Sequence, residues 1–325
     1  MMTDSLSPGS AAEALAGAVL LSHWGVIAAD GEDAAKFLHS QLTHDFALLG
    51  HGEARLAGYC SPKGRLLASF VGWKDGEARV LLACRREVLP PTLKRLSMFV
   101  LRAKAKLTDA TDTVHLLGLV GDVARVVLGD AAPPTVWGKT TREGVTVVRL
   151  PDAAGHTRYL WAGPADAAAA LSASLPALPL PAWRWLEVES AVPTIVQATA
   201  DQFVPQMVNL EAVGGVSFQK GCYPGQEVVA RSQYRGTLKR RGALLHSPAE
   251  AAAGQEIFHS ADPGQPAGLV VDAAPVPAGH GEPGWRLFAE LKLAALHGDG
   301  SLHLGGPEGV TLTPQPLPYP LPTES

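Results

Sequence analysis

The chain has 325 residues, enough for two or three domains with sizeable cores, and 46% of them are hydrophobic against 18% charged. That balance excludes wholesale disorder, and a net charge of −4 excludes a chain-wide electrostatic footprint for nucleic acid. Three cysteines, Cys60, Cys84 and Cys222, form no C-x-x-C pair, so neither a disulfide framework nor a zinc site on cysteine pairs is expected, and no metal site is assigned.

The N-terminal region carries Asp4 and Glu13 and no Lys or Arg up to Asp30, which suits neither a secretory signal nor a mitochondrial presequence. The apolar run Ala14 to Leu21 is too short to span a bilayer, so a cytoplasmic protein without membrane contact is expected. Asp30 is placed to cap a helix through Ala34, Phe37, Leu38 and Leu42, with one buried face. His39 and His44 near it read as surface or core histidines. Three strands follow, Arg55 to Cys60, Arg65 to Trp73 and Ala78 to Cys84, joined by the turn Ser61-Pro62-Lys63-Gly64 and the hairpin signal Asp75-Gly76. Pro90 and Pro91 open a helix bearing Leu93, Leu96 and Val100. A meander flanked by helices predicts α+β rather than a Rossmann sheet.

Val114 to Val127 mixes apolar and small residues, and Thr146 to Arg149 reads as strand. An alanine-rich helix over Ala165 to Leu175 runs into Pro176, Pro179 and Pro181, the clearest internal boundary, and Trp183 to Val192 is helical. From Gly242 the texture changes to short strands broken by Gly and Pro, among them Ala243 to His246, Gly268 to Val271 and Leu287 to Leu293, which predicts a small β-barrel. Pro314 to Pro322 has proline at every second position and reads as an extended tail.

The densest chemistry lies in Lys220-Gly221-Cys222-Tyr223-Pro224-Gly225-Gln226-Glu227. Gly221 and Gly225 let the backbone turn sharply around Cys222, and Lys220, two residues before the thiol, favours the thiolate. A helix starting near Glu227 and running through Val228 to Ser232 would add its N-terminal dipole. The alternative is a buried, inert Cys in a tight turn. Arg231, Arg235, Lys239, Arg240 and Arg241 follow, either to hold an anionic ligand tail or as a solvated face. Glu189, ahead of Pro193, is a carboxylate suited to a ring bearing an N–H and an amino group.

On these residues the chain resembles the YgfZ family of folate-binding proteins, relatives of the glycine-cleavage T-protein, a folate-dependent aminomethyltransferase. The resemblance rests on Phe203-Val204-Pro205-Gln206, Asn209-Leu210, Gly214-Gly215-Val216-Ser217-Phe218, Lys220-Gly221-Cys222-Tyr223 and Gly225-Gln226-Glu227. It extends more weakly to Asp33-Ala34, Phe37-Leu38, Pro62-Lys63-Gly64-Arg65 and the C-terminal barrel, leaving out the residues before about His23 and the Pro-rich tail. It implies three domains around a central hole: two α+β, here 16–110 with 180–240 and 111–179, and an antiparallel β-barrel, here 241–313, before the tail 314–325. It implies tetrahydrofolate as ligand and support for the assembly or repair of iron–sulfur proteins, one client making a sulfur-containing tRNA modification, with no direct nucleic-acid binding.

Carried over residue by residue, Cys222 and Lys220 are the reactive pair and Glu189 the pterin carboxylate, with Gly221, Tyr223, Gly225, Gln226, Glu227, Arg231 and Arg235 as candidate ligand contacts. Ser190-Ala191 stands where relatives often place Ala-Gly. Three functions are open: a maturation factor using Cys222, a one-carbon (aminomethyl) transferase that needs no thiol, and a module in which folate only stabilises the fold.

Overall fold

The computed structural model describes residues 15–234 and 238–322. Two strands open it, β1 (Gly17–Leu20) and β2 (Trp24–Asp30), so the short apolar run near the N-terminus is sheet. Helix α1 (Ala34–His39) buries Ala34, Phe37 and Leu38 as expected, but Asp33 rather than Asp30 stands at its N-cap. Asp30 instead ends β2, pairing with Arg79 and Lys106 across the sheet. The meander β3 (Ala54–Cys60), β4 (Leu66–Lys74) and β5 (Arg79–Arg85) falls within a residue of its expected bounds, and α2 (Leu89–Met98) begins with its two prolines. There the missing N–H groups would have had no helical partner anyway. With β6 (Lys106–Asp109) the first sheet has the antiparallel order β3-β4-β5-β2-β6.

Both faces of that sheet are covered, and period-two alternation sorts its side chains between two cores. Ile27, Ala29, Leu82 and Phe70 meet α1 and α2 through Phe37, Leu38 and Leu96. Val26, Ala28, Leu81 and Val71 face the other way, into a core shared with the second sheet and the barrel.

The mixed run after Val114 divides at Gly121 (φ +83°) into β7 (His115–Val120) and α3 (Gly121–Leu128). Strands β8 (Lys139–Arg142), β9 (Val145–Ala153) and β10 (His156–Gly163) complete a second antiparallel sheet, β1-β7-β10-β9-β8, followed by the alanine-rich α4 (Ala165–Ala173). The proline run after α4 is pinned to edge strand β1: Ala18 N donates to Pro176 O and Leu178 N to Ala18 O, each at 2.9 Å. Helix α5 (Leu180–Glu189) begins there, three residues before its expected start, and ends ahead of Ala191 (φ +49°). Trp183, Trp185, Leu186 and Val188 of α5 are buried in the shared core.

After α6 (Gln226–Tyr234) come the barrel strands β11 (Arg240–Ser247), β12 (Glu256–His259), β13 (Gly268–Pro275) and β14 (Trp285–Lys292). A short α7 (Leu293–His297) precedes β15 (Leu302–Leu304) and β16 (Thr311–Gln315), and the strands close in the order β11-β14-β13-β12-β15-β16. The fold is therefore α+β with a closed C-terminal antiparallel barrel, as expected. The Pro-rich end is extended but not free. Pro314 and Gln315 pair with β11 and close the barrel, and Tyr319 Oη donates to Ala191 O at 2.7 Å. Pairing through β16 covers the edge that β11 would otherwise leave open.

Asn209 finishes the same edge. It adopts a left-handed backbone (φ +59°), and its amide donates to Gly242 O (2.9 Å) and accepts from Gly242 N (3.0 Å). Asn209→Ala is expected to leave both buried backbone groups unpaired and cost about 2–4 kcal/mol, read as a lowered urea midpoint with an unchanged m-value.

Candidate functional site

Two features stand out: the Cys222 loop at the surface and an aromatic cleft between the two sheets. The loop is tied down by Thr43, whose Oγ1 donates to Gly215 O (2.6 Å) and accepts from Gly58 N (2.7 Å), while Ser217 N donates to Thr43 O (2.9 Å). At its far end Gly225 (φ +79°) lies against the β3–β4 turn, where a Cβ would stand 2.5 Å from Ser61 O and 2.6 Å from Gly64 Cα. Gly64 in turn would bring a Cβ to 2.7 Å from Val228 Cβ. The Lys63-Gly64 turn and the Pro224-Gly225 turn are therefore two halves of one contact, and each glycine is required by close approach.

Within the loop Lys220 is buried and its Nζ donates to His39 O (2.6 Å) and Gly221 O (3.1 Å), 4.6 Å from the Tyr223 ring centroid. Burial pushes the Lys220 ammonium down to about 8, with Asp45 and Cys222 pulling the other way. Cys222 is exposed, whereas Cys60 and Cys84 are buried. Burial drives both of those thiols up, Cys60 to about 12. Only Cys222 is thus presented for reaction. Tyr223 is buried beneath the loop, Gln226 opens α6, and Glu227 and Arg231 point to solvent from α6. Arg235 lies outside the described residues.

The cleft is lined by Trp24, Trp137 and Trp183, by Leu21, Val71, Leu150 and Leu160, and by Arg158 and Glu187. Glu187 is a buried, fully engaged carboxylate. Trp24 Nε1 (2.8 Å) and Trp183 Nε1 (2.9 Å) donate to Oε1, and His23 Nε2 (3.0 Å) to Oε2, which lies 3.4 Å from Arg85 Nη2. Burial alone would raise its pKa, but Arg85 and then the His23 and Trp183 bonds outweigh it and hold Glu187 at about 2. Arg158 donates twice to Pro151 O (3.1 and 2.9 Å) and lies 5.5 Å over the Trp183 ring.

Several curated relatives share one name. The chain is 33% identical over 325 residues to the tRNA-modifying protein YgfZ of Edwardsiella ictaluri, covering 92% of this chain and 91% of that one. Against the tRNA-modifying protein YgfZ of Hamiltonella defensa it is 34% identical over 242 residues, 68% of this chain and 67% of that one. The chain belongs to the YgfZ family. No protein-family model matches the sequence. Among solved structures, glycine cleavage system aminomethyltransferase T from Bartonella henselae superposes with a TM-score of 0.75 over 94% of this chain and 86% of that one, at 20% identity. This YgfZ-family chain therefore has the T-protein fold, and at that identity the likeness is one of fold alone.

Within this YgfZ-family structure the expected pterin carboxylate is differently placed. Glu189 accepts from Arg286 Nε of the barrel at 2.6 Å and does not line the cleft; Glu187, two residues earlier, does. Residues two apart on a helix point about 200° apart, so only one can face the cleft. Gly221, Tyr223, Gly225, Gln226, Glu227 and Arg231 are also absent from its walls: they shape the Cys222 loop and the helix after it. Reading by sequence missed Glu187 and the tryptophans around it. Trp24 and Trp183 lie far apart in the chain, and their only local signal was the apolar density around each. Among the described residues, no helix is long and apolar enough to cross a membrane.

Glu187→Gln is expected to destabilise the fold by roughly 3 kcal/mol at neutral pH, the size of a pKa held from 4.5 down to about 2. The folded-state pKa is depressed, so this stabilisation is complete above about pH 4.5 and is lost as pH falls toward 2. Urea titrations across pH 2–7 should show that acid slope in the native chain and a flatter one in the variant.

Proposed function

We propose that this YgfZ-family protein binds a reduced folate, tetrahydrofolate in the first instance, and supports assembly or repair of iron–sulfur proteins through Cys222. The observation that carries the reading is the contrast among the cysteines: two are sealed in cores, and the third is presented on an anchored loop beside a buried lysine. A thiolate is a soft ligand for iron, and one thiolate leaves a cluster's other positions to a client or assembly protein, as transient handling requires. The relatives' name ties the family to tRNA modification. In this reading the chain serves the iron–sulfur enzymes that modify tRNA and does not itself grip the RNA, in keeping with its net charge of −4.

The cleft has the chemistry for the folate. Trp24, Trp137 and Trp183 give the cleft aromatic walls, Trp137 being half-buried, Arg158 supplies a buried cation, and Glu187 is held ionised among them. Glu187 thus takes the role expected for Glu189. A reduced folate supplies one-carbon chemistry at its ring nitrogens; the chain's own part is to exclude water and orient the ring.

In a strain lacking its YgfZ protein, the wild-type chain is expected to restore a [4Fe–4S] enzyme's activity under oxidative stress. Cys222→Ser, still folded and still binding tetrahydrofolate, should leave that activity at the deletion level. Equal rescue by both would remove Cys222 from the function. Separately, Trp137→Ala, at a half-buried wall of the cleft, is expected to weaken tetrahydrofolate binding about tenfold by fluorescence titration, the loss of one stacking face. An unchanged Kd would move the ligand elsewhere.

A further inference from the structure

Helix α2 carries Pro91, Arg95 and Met98 at spacings of four and three, so they share one side of the helix. All three line a cavity of about 340 Å³, which Tyr59 of β3, Leu67 of β4 and the segment from Gln197 to Ala200 bound as well. Tyr59 belongs to the core under α1 and α2, whereas Val71 of the aromatic cleft belongs to the core on the opposite face of the same sheet. The cavity shares no residue with the cleft or with the Cys222 loop. Its walls are mostly apolar, from Leu67, Val88, Pro91, Met98 and Ala200. The polar groups among them are not satisfied within the protein. Lys94 and Arg95 both line the cavity, and among the described residues neither is ion-paired, nor is Glu87, the acid in its wall. Arg95 Nε is buried and has no hydrogen-bond partner, a costly state for a guanidinium N–H. Burial raises the Tyr59 pKa, with Arg95 nearby pulling the other way, so the phenol stays neutral and keeps a proton to donate.

We propose that this cavity is a ligand site in its own right and takes a small organic acid with an apolar body, its carboxylate met by Arg95 and Tyr59 and its hydrocarbon part by Leu67, Val88 and Met98. An apolar cavity of this size with a few convergent polar groups has the general form of a small-molecule site. The walls select the class of ligand. A neutral hydrocarbon would cover the apolar surface but leave the buried Arg95 N–H unpaired. An inorganic anion would satisfy Arg95 and leave the apolar walls wet. A carboxylate joined to a short alkyl or aryl body answers both, because a charge-assisted bond to a guanidinium fixes one end while burial drives the other. Lys94, exposed on the same helix, adds a second positive charge beside the site. The site needs neither Cys222 nor a folate in the cleft.

The test is isothermal titration calorimetry on the purified full chain with two probes of equal length, octanoate and 1-octanol, which differ in the charged end alone. Octanoate is expected to bind the wild type saturably, in the millimolar range or tighter. Arg95→Met keeps an apolar stem and removes the cation, so octanoate should bind about tenfold more weakly while 1-octanol binds as before. Met98 is exposed, so the fold tolerates Met98→Glu, which sets a carboxylate one helical turn from Arg95 and should likewise weaken octanoate more than 1-octanol. No saturable binding of octanoate by the wild type overturns the proposal. So does equal binding of octanoate by the wild type and both variants, which would place the acid elsewhere on the chain. Equal weakening of both probes overturns the assignment of a carboxylate to Arg95. If Arg95→Met is not folded by circular dichroism, Met98→Glu decides by the same comparison.

Discussion

One buried carboxylate holds the parts of this molecule in register. Glu187 sits on α5 and is bonded by His23 and Trp24, which flank the start of β2, by Trp183 on its own helix, and approached by Arg85 at the end of β5. Arg85 is buried and also pairs with Asp272 on barrel strand β13, which Arg184 of α5 reaches from the other side. The first sheet, the central helix and the barrel are thus joined by one chain of charges. Desolvating each of these ions costs several kcal/mol, and removing one partner leaves the rest buried and uncompensated. Such a network adds little net stability over an apolar core but tolerates few alternative arrangements, which suits a cleft whose walls come from both sheets.

The cleft and the Cys222 loop are separate places, and the first sheet connects them. One face of that sheet gives Trp24 and Val71 to the cleft. The other carries α1, whose end meets the loop through His39, while Thr43 bonds both the loop and β3. The cleft between the sheets and the thiol loop at the surface are therefore supported by the same sheet without sharing a residue.

Much of the architecture was legible because its signals are local. The β3–β4–β5 meander announces itself by alternation and turn residues, α2 by its opening prolines, and the barrel by short strands between glycines and prolines. Even Gly64 and Gly225, flagged separately as turn residues, carried in their lack of a side chain the information that something approaches closely. That each approaches the other was not readable from either segment.

The sequence by itself determined the α+β character, the barrel and the family, because these rest on periodicity, turn chemistry and one unbroken motif. Tertiary structure alone decided which carboxylate of α5 faces the cleft. Trp183, Trp185, Leu186 and Val188 make that helix apolar on nearly every side, so no stripe distinguishes the Glu187 face from the Glu189 face until two sheets and a barrel surround it. It also decided that the proline-rich end is a closing strand and a docked tyrosine, and that the His39 carbonyl receives the Lys220 ammonium of the Cys222 loop. Each is a contact across a long stretch of chain, and a side chain's local neighbours do not specify what will be packed against it.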